Sequence, residues 1–222
     1  MTALLEKWAY CADAGKTTVV MPDGCRDVII VRRPQQTVAC FLSMLDTVPR
    51  RVLIDAGVTM VGYRLRPGAR IDLAPVIERI RRADHPADIG GLVEEHAIYP
   101  EALREAIDSL SQEVPSVGEA ARMLGASQRA LERLFRHHKL KPPAFWLRLA
   151  RARRAARRIC ADGQLAEIAY LEGYADQAHM TREIRRWFDA TPGQLRRDTA
   201  LRALVAQSGL ATPVTGEQIS IR

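Results

Sequence analysis

The chain has 222 residues, 47% of them hydrophobic and 27% charged, with 33 Lys and Arg against 26 Asp and Glu. That length allows one large or two small domains with buried cores, and the composition excludes a fibre or a wholly disordered polymer. No apolar run reaches the roughly 18 residues a bilayer span needs, and MTALLEKWAY has no basic-then-apolar leader, so a cytoplasmic protein with no membrane partner is the expectation.

Residues 17–73 contain the extended runs TTVVM, DVIIV, VACFLSML, RVLI and VTMVGYRL, punctuated by Pro22-Asp-Gly24, Arg33-Pro34, Ala56-Gly57 and Pro67-Gly68. They predict a small sheet or partial barrel of about five or six strands. Cys11, Cys25, Cys40 and Cys160 form no CxxC pair, so packed thiols are expected rather than a metal site or disulfides. Asp23 sits in a Pro-Asp-Gly turn and reads as a turn residue. Arg64 and Arg66 alternate along a predicted strand, which fits either a surface for an acidic effector or an ordinary solvent-facing edge. Residues 75–110 switch to helical spacing, with Val76, Ile77 and Ile80 on one stripe and Ala102, Leu103, Ala106, Ile107 and Leu110 on another. His85 and His96 have no metal-ligand companions, and no phosphate-cradling glycine loop or GxSxG motif occurs. No metal, no cofactor and no catalytic residue is therefore expected.

A boundary falls at Ser111–Pro115, dividing residues 1–111 from a helical domain at 116–200 and a tail at 201–222 that reads as loosely ordered beyond Ser208. The fold class is thus α+β, an N-terminal sheet with helices followed by an all-α domain. Residues 112–200 hold 17 basic and 10 acidic residues, net +7, whereas residues 1–111 are net −1. A basic module beside a neutral one points to a polyanion partner for one half.

That basic segment carries an internal near-repeat, AARMLGASQRALERLF (120–135) and IAYLEGYADQAHMTREI (168–184). In each copy a small residue, Ala121 or Ala169, precedes a turn glycine, Gly125 or Gly173, by four positions. An amphipathic helix follows, and the second turn is one residue longer. Close helix approach and a left-handed turn residue are what a helix-turn-helix requires. Ser116–Glu119 and Thr191–Gln194 read as helix starts, and Ser127 and Asp176 as caps of the second helices. Arg129, Glu132, Arg133 and Arg136 face outward in the first unit, and Gln177, His179, Arg182 and Arg186 in the second. Arg suits guanine, Gln suits adenine and Glu suits cytosine in a major groove. Between the units, PPAFWLRLARARRAARRIC (142–160) predicts a helix about 26 Å long. Phe145, Leu149, Ala152, Ala156 and Ile159 form its apolar face, with Arg153, Arg154, Arg157 and Arg158 opposite as candidate phosphate contacts. Ser127, Arg136 and Arg186 complete that phosphate set.

Residues 116–197 resemble the DNA-binding domain of AraC/XylS-type bacterial transcription regulators. The likeness rests on SVGEAARMLGASQRALERLF, the PPAFW linker with Arg151-Ala-Arg-Arg-Ala155, LAEIA…GYADQAH, and RRWFDATPGQLRR. It implies two helix-turn-helix units in successive major-groove segments, with Arg129, Glu132, Arg133, Gln177, His179 and Arg182 at base-reading positions and Arg151 supporting the fold. Leu140-Lys141-Pro142 replaces the family's usual Gly-x-Ser, and Met180 and Ile184 replace two phenylalanines. MPDGCRD (21–27) and VGYRLRPG (61–68) resemble a domain attached to some such regulators, which implies a sensor or dimerisation unit related to small β-barrels and names no ligand. The expected partners are double-stranded DNA, RNA polymerase, a small-molecule effector and a second copy of the chain. The competing readings are a protein-interaction module with solvated basic helices and, remotely, a small-metabolite enzyme built on the N-terminal sheet.

Overall fold

The run Val28-Ile-Ile-Val31 is apolar at every position because its strand, β3 (Arg26–Arg32), is covered on both faces. The computed structural model describes residues 2–82 and 88–212, so His85 and the last ten residues of the tail lie outside the described residues. Within them an N-terminal antiparallel sheet region is followed by a helical region.

β3 lies in a four-stranded antiparallel sheet of order β1-β6-β3-β4, with β1 at Leu4–Cys11, β4 at Ala39–Leu42 and β6 at Thr59–Leu65. One face buries Ala12, Val31 and Val58 against Ile54 of the β2–β5 pair (Lys16–Val20 and Arg50–Ile54). The other buries Val28, Ile30, Tyr63 and Leu65 against α1 (Leu73–Arg82) and α2 (Ile89–His96). A short pair, β7 (Arg70–Ile71) with β8 (Ala97–Ile98), closes that end. β1 lies before the stretch predicted as sheet. It is an edge strand with a register shift between Leu4 and Glu6, and its charged, half-exposed residues blur the period-two alternation.

After α3 (Glu101–Ser111) come α4 (Val117–Met123), α5 (Gln128–His137), α6 (Pro143–Cys160), α7 (Leu165–Leu171), α8 (Gln177–Phe188), α9 (Pro192–Arg197) and α10 (Thr199–Ala206). α6 is the axis of this region: apart from Ala144 and Arg148, every residue in it is buried or half-buried. Its core, which includes Trp146, Leu149 and Ile159, runs without interruption into Leu103, Ile107 and Leu110 of α3 and reaches Met21 before β3. No helix of the described residues is long and apolar enough to cross a membrane.

The start of the tail differs from the loose segment expected. Ser208 and Leu210 are buried, and the Leu210 amide donates to the Asp23 carbonyl at 2.7 Å. A Cβ at Gly209 would stand 2.7 Å from that same carbonyl oxygen, so only glycine fits this crossing. Two arginines anchor the segment. Arg153 of α6, with no exposed surface, donates to the carbonyls of Gln207 (2.7 Å), Leu210 (2.9 Å) and Pro22 (3.4 Å) and to Thr212 Oγ1 (2.9 Å). Arg64 stands opposite Asp27 of β3 and Glu6 of β1 in the strand register, and pairs with Asp27 (3.1 Å), Glu6 (3.3 Å) and Asp23 (3.4 Å). It also donates to the Ser208 carbonyl at 3.1 Å. Burial works against the Arg64 charge, yet Asp23, Asp27, Cys25 and the bond to Asp27 outweigh it and hold the guanidinium above its ordinary range. The MPDGCRD and VGYRLRPG motifs therefore meet in an ion cluster beneath residues 207–212. Asp23 is more than a turn residue, and Arg64 faces neither a ligand groove nor solvent.

Candidate nucleic-acid interface

Both repeats fold as helix, turn, helix. Gly125 (φ 66°) and Gly173 (φ 70°) take the left-handed conformation that ends α4 and α7, and one extra residue lengthens the second turn. Ser127 caps α5 by accepting from the Ala130 amide (3.2 Å), and Asp176 caps α8 by accepting from the His179 amide (2.5 Å). Thr191 and Gln194 form a full capping box at α9. At α4 only half of the expected box is present: Ser116 accepts from the Glu119 amide, while the Glu119 carboxylate pairs with Arg122. α6 starts without a side-chain cap; Pro143 occupies its first turn and the Trp146 indole N–H donates to the Lys141 carbonyl (3.0 Å). The Leu-Lys-Pro departure is accommodated in that way.

α5 buries Leu131 and Phe135, which leaves Arg129, Arg133 and Arg136 exposed. Glu132 is half-buried and accepts from Gln128 Nε2 at 2.9 Å. α8 buries Met180, Ile184, Trp187 and Phe188, and leaves Gln177, Arg182 and Arg186 exposed. Met180 and Ile184 have no exposed surface, so the smaller pair still fills its place. His179 is half-buried, its ring edge-on to Tyr174 at 5.4 Å and its Nδ1 accepting from the Ala175 amide at 3.4 Å. Arg186 lies 3.6 Å from Glu183. Among the described residues, Arg129, Arg133, Arg136 and Arg182 make no ion pair. Four cations held at helix surfaces without an internal anion give these helices a positive face that a polyanion can meet.

The linker arginines behave differently: all four are engaged within the protein, and burial takes Arg153 and Arg154 away from the phosphate contacts expected of them. Arg153 is spent on the tail and Pro22. Arg154, 9% exposed, binds Glu172 Oε2 (2.9 Å) and the Ser111 carbonyl (2.6 Å). Arg157 is half-buried and donates to the Ala211 carbonyl; burial, aided by the charges of Arg153 and Arg154, pulls its guanidinium below its ordinary range. Arg158 keeps partial exposure but binds Glu172 Oε1 (2.8 Å) and Glu113 (2.6 Å). The cause is crowding. α3, α4, α5, α7, α8, α9 and α10 pack round α6, so arginine stems run beneath neighbouring elements and their heads meet carbonyls and the Glu172 carboxylate.

A family model described as a helix-turn-helix domain matches residues 120–198. The HTH-type transcriptional regulator GlxA of Rhizobium meliloti (strain 1021) is 42% identical over 79 residues, 35% of this chain and 24% of the relative. Residues 120–198 are a helix-turn-helix domain. The matched stretch spans about a quarter of that relative's length. Among solved structures, a Chromobacterium violaceum transcriptional regulator described as having an AraC-type DNA-binding domain is 26% identical. That match covers 48% of this chain and 94% of the other, with a TM-score of 0.39. ToxT of Vibrio cholerae, solved with an unsaturated fatty acid bound, is 9% identical over 86% of this chain and 94% of its own, with a TM-score of 0.44.

Two residues of the helix-turn-helix domain escaped the reading of the sequence. Arg148 is the one exposed arginine of α6, and its position five residues before Arg153 hid it in a run of six arginines. Glu172 is 3% exposed and receives two guanidiniums, and its only signal was an acid directly before a turn glycine. Arg151, the residue expected to support the fold, donates to the carbonyls of Gly173 (3.2 Å) and Pro115 (3.1 Å) and lies over the Tyr174 ring.

Proposed function

We propose that the chain is a sequence-specific DNA-binding transcription regulator whose two helix-turn-helix units read successive major-groove segments. The observation that carries this is the pair of reading helices, each with a buried apolar stripe and exposed cations that no internal carboxylate answers. Arg129, Arg133, Gln177 and Arg182 are the base readers, with Glu132 and His179 joining once their internal bonds open. Ser127 with the start of α5, Arg136 and Arg186 take phosphates. The relative named a transcriptional regulator supports the same reading. Residues 1–111 serve as a sensor or dimerisation unit rather than an enzyme, in a protein that acts in the cytoplasm and meets RNA polymerase at promoters.

Fluorescence anisotropy on duplexes selected from a random pool tests the proposal. Binding is expected to be sequence-selective and to weaken with salt at a log–log slope of about −0.9 for each phosphate neutralised. Weak binding with no preference among duplexes would favour the solvated-helix alternative.

A further inference from the structure

α6 and the second helix-turn-helix contribute to one buried apolar surface rich in alanine: Ala152, Ala155 and Ala156 of α6 and Ala169 of α7 all lie in it. Such a surface attracts without direction, and small rotations of one helix over the other cost little apolar contact. A directional element lies at the edge of this surface. Glu172, at the end of α7, takes the Nε–H of Arg154 on Oε2 and the Nε–H of Arg158 on Oε1. Each arginine extends further to the connector between α3 and α4, Arg154 to the Ser111 carbonyl and Arg158 to Glu113. Arg151 repeats the pattern one turn earlier, joining the Gly173 carbonyl to the Pro115 carbonyl. Three arginines of one helix thus tie the turn of the second unit to the segment that leads into the first. Two arginines and two glutamates balance in charge.

The fold itself does not demand this arrangement. The equivalent position in the first unit, directly before Gly125, is Leu124, a half-buried apolar residue packed on the core. A carboxylate before the turn glycine is therefore an addition peculiar to the second unit.

We infer that Glu172 is a positioning residue: with Arg151, Arg154 and Arg158 it sets the separation and rotation of α8 relative to α5, and so the half-site spacing the protein accepts on DNA. The inference rests on the proposed DNA reading. Each inserted base pair moves a half-site by about 3.4 Å and rotates it by about a tenth of a turn, so a rigid pair of reading helices discriminates against it.

The test compares full-length wild type with Glu172→Gln and with Glu113→Gln, whose exposed site leaves folding undisturbed. Selected duplexes carry both half-sites at native spacing, both with one base pair inserted, or the first half-site alone. Wild type is expected to favour native spacing by about tenfold or more, Glu172→Gln by less than about threefold, and Glu113→Gln by an intermediate factor. Binding to the first half-site alone is expected to stay unchanged in both variants. Full discrimination by both folded variants overturns the inference. If wild type selects no duplex, the DNA reading fails, and hydrogen exchange decides the bracket. Amides of Leu165–Phe188 are then expected to exchange about tenfold faster in Glu172→Gln while those of Val117–His137 keep their protection. Unchanged protection across Leu165–Phe188 overturns it.

Discussion

Arg133 and Arg153 carry the same charge in the same domain, and their surroundings give them opposite work. Arg133 stands exposed on α5 with no ion pair, whereas Arg153 has no exposed surface and holds four acceptors. Arg133→Ala should leave the thermal midpoint in place and cost about 1–3 kcal/mol of binding at one base step, read by anisotropy on single-base variants of the operator. Arg153→Ala should lower the unfolding free energy by about 3–5 kcal/mol in urea titration, since it strands buried carbonyls, and should leave the salt slope of DNA binding unchanged. Cys25 offers a test by pH. Burial, reinforced by the Asp23 charge, pushes its thiol well above the ordinary value of 9.0. A raised thiol keeps its proton in the fold while the unfolded chain loses it, so its contribution is intact below pH 9.0 and stability falls as pH rises past that value. The urea midpoint should therefore drop between pH 8 and pH 10, and Cys25→Ala should flatten that drop. Iodoacetamide at pH 8 should label exposed Cys11 and spare Cys25 in the native protein, a difference that mass spectrometry reads directly.

At the scale of elements, the repeat was the most legible part of the sequence, because each unit satisfies local rules that need no tertiary knowledge. The small residue, the turn glycine, the cap and the apolar stripe all recur at fixed offsets. Gly125→Ala isolates one such rule: nothing lies within 4 Å of the added methyl, so only the left-handed backbone resists it. The expected loss is about 1–2 kcal/mol in urea titration. The linker helix misled for the complementary reason. Arg153 and Arg154 fall where a helical wheel puts a solvated face, but α6 is enclosed on nearly every side, and periodicity identifies a polar face without telling whether solvent or carbonyls meet it. β1 was missed because its partner β6 lies about fifty to sixty residues away and the apolar run Trp8-Ala-Tyr-Cys11 hides the in-and-out alternation that the strand shows in the fold.

For the whole molecule, the core of the helical domain reaches Met21, just before β3, and residues 207–212 join that domain to the sheet region by threading between the Pro-Asp-Gly turn and α6. That junction was illegible beforehand, since it depends on a tail without periodicity meeting residues more than 180 positions earlier. Gly209→Val pushes a side chain into the Asp23 carbonyl and should dislodge the segment. Calorimetry should then show the single unfolding transition of wild type splitting into two as the sheet region uncouples; one undivided transition would deny the segment this role. The reading of the molecule as a two-pronged DNA clasp is tested most directly by hydroxyl-radical footprinting on a selected operator. Two protected patches are expected on one face of the duplex, about one helical turn apart, with Arg133→Ala weakening one and Arg182→Ala the other. A single patch, or two on opposite faces, would contradict it.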